Sequence, residues 1–226
     1  MECNMKKNIN TIEKNKTHLF NKAINLIKQN KKLKFKENID TAICLNMNPI
    51  KKKMTLKGYS ILPHNINRKY KIAVFISKDE ELKNINTDTV IKEDNINLIN
   101  KRKLNFDLII TTPKSILKMG KLNKILNSKG LAPDIKYGTI TSDITKTITK
   151  LNKNYIKFKS DKHNIIHCVI GKIDLETKKL KENLEKLIND IKKQKPKSCT
   201  NIAIKSISIS STMGPGLKIN INSLTI

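Results

Sequence analysis

The chain has 226 residues, 46 of them Lys or Arg against 19 Asp or Glu, a formal net charge of +27. Small soluble domains usually carry a single-digit charge, so this excess argues against an ordinary metabolic enzyme on a neutral small-molecule substrate and for a polyanionic partner. No apolar run approaches the ~20 residues of a membrane span, and the 38% hydrophobic content is patterned, which suits a folded core rather than disorder.

Of the basic residues only Arg68 and Arg102 are arginines. Asn and Ile are abundant, Trp is absent, and Gln occurs only at Gln29 and Gln194. This is the residue set of AT-rich codons, so part of the charge reflects drift toward Lys. Lysine still attracts phosphate, without the bidentate fork of Arg. Met1 to Lys16 has neither an apolar signal-peptide core nor an Arg-rich presequence, which points to work in the compartment of synthesis. With the AT-rich composition, this suggests the cytoplasm of a bacterium with such a genome, with an organelle as second choice.

Leu19, Phe20, Ala23, Ile24 and Ile27 share a helix face, with Thr17 as the predicted N-cap. Ile39, Thr41, Ile43 and Leu45 alternate with Asp40, Ala42, Cys44 and Asn46, the mark of a half-exposed strand. Asn48-Pro49 opens a basic turn through Lys53, and a strand follows from Thr55 to Leu62, ended by Pro63. After Asn67 the character changes. Lys71 to Ser77 and Phe106 to Thr111 are continuous apolar runs, suited to parallel strands covered on both faces. Helical patterns with Ile116, Leu117, Leu122, Ile125 and Leu126 follow, and Asp143 is placed to cap a helix carrying Ile144, Ile148 and Leu151.

From Tyr155 the alternation returns. Ile166, Cys168 and Ile170 share a strand face. Leu180, Leu184, Leu187, Ile188 and Ile191 form a helix stripe, ended by Pro196. Ile202 with Ile204, then Ile207 with Ile209, predict one strand whose phase shifts at a bulge. Leu217, Ile219 and Ile221 make the last strand. The economical arrangement is a discontinuous outer domain, 1–67 with 157–226, into which an α/β domain, 68–156, is inserted. The outer pieces hold 28 basic and 10 acidic residues and the middle 18 and 9, a split that favours the outer domain only weakly as the nucleic-acid face.

Enzyme chemistry finds little support. The strand at Lys71 is followed by Ser77-Lys-Asp-Glu-Glu, whose acids repel phosphate where a dinucleotide site needs glycines. No Walker lysine pattern and no nucleophile–base order stands out. Cys3, Cys44, Cys168 and Cys199 form no C-x-x-C pair, and His163 with His167 lacks a third ligand, so neither metal nor cofactor is expected. Two loops remain. Ser211-Thr-Met-Gly-Pro-Gly216 lies between strands: Thr212 offers a hydroxyl, Met213 a flexible apolar finger, and Gly214 a close backbone approach. It reads either as a plain hairpin turn or as a turn fitted to the shallow minor groove of folded RNA. Gly130 to Thr139 reads as a Gly/Pro-punctuated connection.

These residues also carry a resemblance. Lys34-Phe35-x-Glu37-x-x-Asp40, Asn48-Pro49, Gly58, Leu62-Pro63-His64, Phe106-Asp107 with Thr112-Pro113, Gly120-Lys-Leu122 through Gly138-Thr139, His167-x-x-Ile170-Gly171-Lys172, Lys195-Pro196 and Ser211-Thr-Met-Gly-Pro215 fall in order. The series resembles the large-subunit ribosomal L-one family, that of the mobile stalk beside the ribosomal exit site. The chain departs from the family pattern at Asn123, Asn127-Ser128, Ala132 and Thr200-Asn201, and before Val90, mostly in the middle domain. The resemblance implies a split α+β outer domain of antiparallel sheet and helices, and an inserted Rossmann-like α/β domain without a nucleotide site. It implies a non-enzymatic constituent of the large ribosomal subunit that binds the stalk helices of large-subunit ribosomal RNA. Assistance to the release of discharged transfer RNA from the exit site is implied too, with repression of the protein's own messenger RNA as the alternative function. The RNA-binding residues it implies are Lys34, Phe35, Glu37, Lys172, Ser206, Ser211, Thr212, Met213 and Gly214.

Overall fold

The computed structural model describes residues 16–29, 35–49, 55–66, 70–76, 89–92, 106–128, 130–151, 154–194 and 199–224. The elements in chain order begin with β1 (Thr17–His18), α1 (Phe20–Gln29), β2 (Asn38–Pro49), β3 (Lys57–Ile61), β4 (Ile72–Ile76), β5 (Thr89–Lys92) and β6 (Leu108–Thr111). They continue with α2 (Pro113–Lys118), α3 (Gly120–Ser128), α4 (Ile144–Leu151), β7 (Tyr155–Lys159), β8 (Ile165–Lys172), α5 (Thr177–Lys193), β9 (Cys199–Ser211) and β10 (Leu217–Ile219). The chain divides into two compact units, residues 1–67 with 156–226, and residues 68–155.

The first unit holds a five-stranded sheet in the order β1-β10-β9-β2-β8. It is antiparallel except at its edge, where β1 runs parallel to β10. Period-two alternation sends Ile39, Thr41, Ile43, Leu45, Ile166, Ile170, Ile207 and Ile209 to one face, where all are buried. The apolar stripes of α1 and α5 complete this core. The predicted phase shift is present: Cys44 pairs with Ser206 but Leu45 with Ile204, which leaves Lys205 as the extra residue of a bulge.

Two readings at the first helix are corrected. Thr17 pairs with Lys218 in β1 and caps nothing. The residue flanking the helix is Leu19, whose carbonyl accepts the Ala23 N–H at 3.0 Å. Leu19 precedes the helix and stands 60% exposed, so the 3.6 period does not govern its direction.

Helix α5 also carries a polar row that stitches β3 and the segment after it. Asn183 is fully buried. Its amide oxygen accepts the His64 N–H at 3.0 Å and its amide nitrogen donates to Ile170 O at 2.9 Å. Ser60 Oγ donates to Asp190 Oδ2 at 2.7 Å. The Gln194 amide accepts the Tyr59 N–H at 3.0 Å and donates to Tyr59 O. Gly58 leaves room for this amide, since a Cβ would lie 1.7 Å from Gln194 Oε1 and 2.8 Å from Cζ of the buried Phe158. The Asn183 and Gln194 bonds satisfy backbone groups of His64, Ile170 and Tyr59, and the Ser60–Asp190 bond ties β3 to the helix through side chains. Pro196 lies outside the described residues.

The second unit holds a three-stranded parallel sheet in the order β5-β4-β6. Ala73, Phe75, Phe106, Ile109, Met119 and Leu126 pack into a core beside it. Thr112 caps α2, its hydroxyl accepting the Ser115 N–H at 3.2 Å with Pro113 following. The loop from Gly130 to Thr139 is tied to itself. Asp134 O accepts from the Thr139 hydroxyl at 3.1 Å, and Gly130 and Gly138 take left-handed φ of 68° and 65°. The acidic turn after Ser77 lies outside the described residues.

Candidate nucleic-acid interface

Helices cover one face of the five-stranded sheet; the other carries small side chains. Opposite the core positions, β2 presents Asn38, Asp40, Ala42 and Cys44, and β9 presents Ser206, Ser208 and Ser210, each exposed or half-buried. On the far side β8 adds His167 and Lys172, and on the near side β10 adds the exposed Lys218 opposite Ser208. Short residues and lysines make a flat, cationic surface.

At one end of this face the chain leaves β9 through Thr212, Met213 and Gly214, and meets the start of β2. Thr212 N–H donates to Asn38 O at 3.1 Å, and the Thr212 hydroxyl accepts the Asn38 N–H at 3.1 Å. Met213 N–H donates to Glu37 Oε2 at 3.3 Å. Gly214 N–H donates to Ser211 O at 3.1 Å, closing the turn. Glu37 is only 3% exposed, and its own carbonyl accepts the Ile173 N–H at 3.0 Å. Backbone and side chain of Glu37 together thus fasten the start of β2 to both neighbouring segments.

The implied RNA-binding residues therefore separate. Met213 is 73% exposed and Phe35 51%, unusual for large apolar side chains. Thr212 is exposed, and Lys172 is half-buried opposite Asn38. Glu37 and Ser211 point inward, so they shape the turn and do not lie on its outer surface. Gly214 is explained by close approach: its φ is not left-handed, and a Cβ would lie 2.4 Å from Ser211 Oγ. Ser206 is on the same open face, opposite Cys44, but six residues from Thr212 along β9, roughly 20 Å at strand rise. Lys34 lies outside the described residues, as does the basic turn at Lys51 to Lys53. Sequence reasoning missed Asn38, whose backbone holds Thr212. Its signal was its place three residues after Phe35, where β2 begins.

Burial pushes the Cys168 thiol up to about 12, with the Asp40 charge adding to it, so it stays protonated and inert. Among the described residues no group of three His, Cys, Asp or Glu is placed to hold a metal ion, and no helix is long and apolar enough to cross a membrane.

The family model described as "Ribosomal protein L1p/L10e family" matches residues 26–215, a span that includes β2, β8, β9 and the turn at Met213. The "Large ribosomal subunit protein uL1" of Coxiella burnetii (strain RSA 331 / Henzerling II) is 38% identical over 211 residues, 92% of this chain and 91% of the relative. The protein of the same name from Alcanivorax borkumensis is 36% identical over 95% of this chain and 94% of its own length. That from Mycoplasma capricolum subsp. capricolum is 36% identical over 95% and 96%. A match of this extent identifies the chain as a member of the ribosomal protein L1p/L10e family.

Proposed function

We propose that this chain is a structural constituent of the large ribosomal subunit. Its first unit binds the stalk helices of large-subunit ribosomal RNA through the open sheet face and the turn at Thr212, Met213 and Gly214. The observation that carries this reading is a turn held rigid from behind by Glu37 and Asn38 while Met213 and Phe35 stand exposed. A preformed apolar finger beside lysines suits folded RNA: the lysines neutralise phosphate, and the finger packs against sugars and bases in a shallow minor groove. Glu37 and Ser211 act as positioning residues; Thr212, Met213, Phe35 and Lys172 make the contacts.

In such a particle the protein assists the departure of discharged transfer RNA from the exit site, in the cytoplasm of a bacterium whose AT-rich genome accounts for part of the lysine excess. An RNA face of this kind would also serve repression of the protein's own messenger, provided that messenger copies the ribosomal site. Sedimentation of cell extract tests the main reading. The chain is expected with large subunits at about one copy each; a chain found free or on messenger ribonucleoprotein alone would contradict it.

A further inference from the structure

Asp40 is the only acidic residue in the five strands of the large sheet. It stands on the open face, opposite Ser210 on β9 and Val169 on β8, with Ala42 next on its own strand. Its carboxylate has no hydrogen-bond or ion-pair partner among the described residues. It is half-buried, and that burial raises its carboxyl above the ordinary carboxylate range. Its direct cross-strand partners are Ser210 and Val169, and the nearest basic side chains of the face, Lys172 opposite Asn38 and His167 opposite Ala42, stand one step along β8 and form no ion pair with it among the described residues. An uncompensated carboxylate is costly, and its requirement is for donors.

Phosphate supplies no donor and repels a carboxylate. The shallow minor groove of an RNA helix supplies two, the ribose 2′-hydroxyl and the guanine 2-amino group. The low side chains around Asp40 leave it reachable by such a groove. We propose that Asp40 reads the minor groove of the bound RNA by accepting a hydrogen bond from one of these donors. Asp40 would thereby discriminate among RNA sites on a face whose lysines do not. This deepens the RNA reading above and rests on it.

The charge of the protein makes the test sharp, because the two roles of Asp40 predict opposite signs. If Asp40 is a bystander, Asp40→Ala removes a repulsive charge and binding tightens. If Asp40 reads a donor, Asp40→Ala weakens binding of the stalk RNA fragment about tenfold, while binding of an unrelated duplex RNA tightens or stays level. The full chain and the variant are to be assayed on a fragment carrying scattered 2′-deoxy or inosine substitutions. Wild type is expected to show an interference position that disappears with Asp40→Ala. A 2′-deoxy position assigns the hydroxyl; an inosine position assigns the 2-amino group. Asp40→Asn keeps the shape and one acceptor oxygen, so it provides a folded comparison with intermediate loss. Tighter stalk binding by Asp40→Ala, or an interference map identical to wild type, would overturn the role of Asp40 and leave the RNA reading standing. Failure of the wild-type chain to bind the fragment would overturn both.

Discussion

Thr212 takes over the strand ladder from β9 with its side chain. Its N–H donates to Asn38 O as in an ordinary antiparallel pair, but the Asn38 N–H is received at 3.1 Å by the Thr212 hydroxyl instead of its carbonyl. The same hydroxyl lies 3.3 Å from Asn38 O, to which it donates. Freed from the ladder, the Thr212 carbonyl allows the chain to turn at once. Met213 is therefore presented at the end of the sheet face and not carried further along the strand.

Thr212→Val keeps the shape and removes the hydroxyl. The Asn38 N–H then loses its partner at an exposed position where water replaces it in part, so stability should fall by only about 1 kcal/mol. The affinity for stalk RNA should fall further than that, because the turn is no longer held in the bound geometry. Thermal melts and binding isotherms on the same variant separate the two effects.

Gly214 and Ser211 form a coupled pair, and a double-mutant cycle exposes it. Gly214→Ala alone drives its Cβ against Ser211 Oγ and should cost about 1–3 kcal/mol as overpacking. In Ser211→Ala/Gly214→Ala that oxygen is gone and the remaining Cβ of residue 211 is 3.5 Å away, an ordinary contact. The double variant should regain most of the stability. RNA affinity that stays low in the restored double variant would indicate close approach of RNA at Gly214; full recovery would assign the glycine to turn packing alone.

Much of the fold is written in the periodicities. The bulge at Lys205 is visible as a switch from Ile202 and Ile204 to Ile207 and Ile209, because a core must receive every apolar residue on one side. Thr17 and Leu19 misled because an apolar pattern does not mark where a strand ends and a helix begins; the pairing of Thr17 with Lys218 is a long-range fact. At the interface, residue identities pointed to Phe35, Thr212 and Met213, but the direction of a side chain is not a local property. Glu37 is implied as an RNA contact by the resemblance, and its burial follows from its bond to Met213 N–H, 176 residues away in the chain, which no local pattern shows. Asp40 was legible only as an outward position; its lack of a partner emerges from the neighbouring strands.

Asn183 is a further case in which the sequence was silent, a polar residue within an apolar stripe. Asn183→Leu would leave the His64 N–H and the Ile170 carbonyl without their side-chain partner inside the protein. The expected loss is about 2–3 kcal/mol, measured by denaturant unfolding. The folded fraction should bind RNA normally, because none of these groups lies on the open sheet face. Reduced RNA affinity of the folded variant would instead tie α5 to the interface.

Because lysines supply almost all the positive charge, much of the RNA affinity should come from counterion release. With ~4–6 phosphate contacts, log K should fall against log salt with a slope of about −3 to −5. Titrations at several potassium concentrations check this. A flat response would assign the affinity to the apolar finger and the hydroxyls alone.

The central claim, that the exposed end of the sheet face meets ribosomal RNA, is tested most directly by ultraviolet crosslinking of the full chain in large subunits, followed by mass spectrometry of the crosslinked peptides. The account predicts RNA-bearing peptides that contain Phe35 and Met213, with Lys172 among the neighbouring sites. Crosslinks confined to residues 68–155, with Phe35 and Met213 clear of RNA, would contradict it.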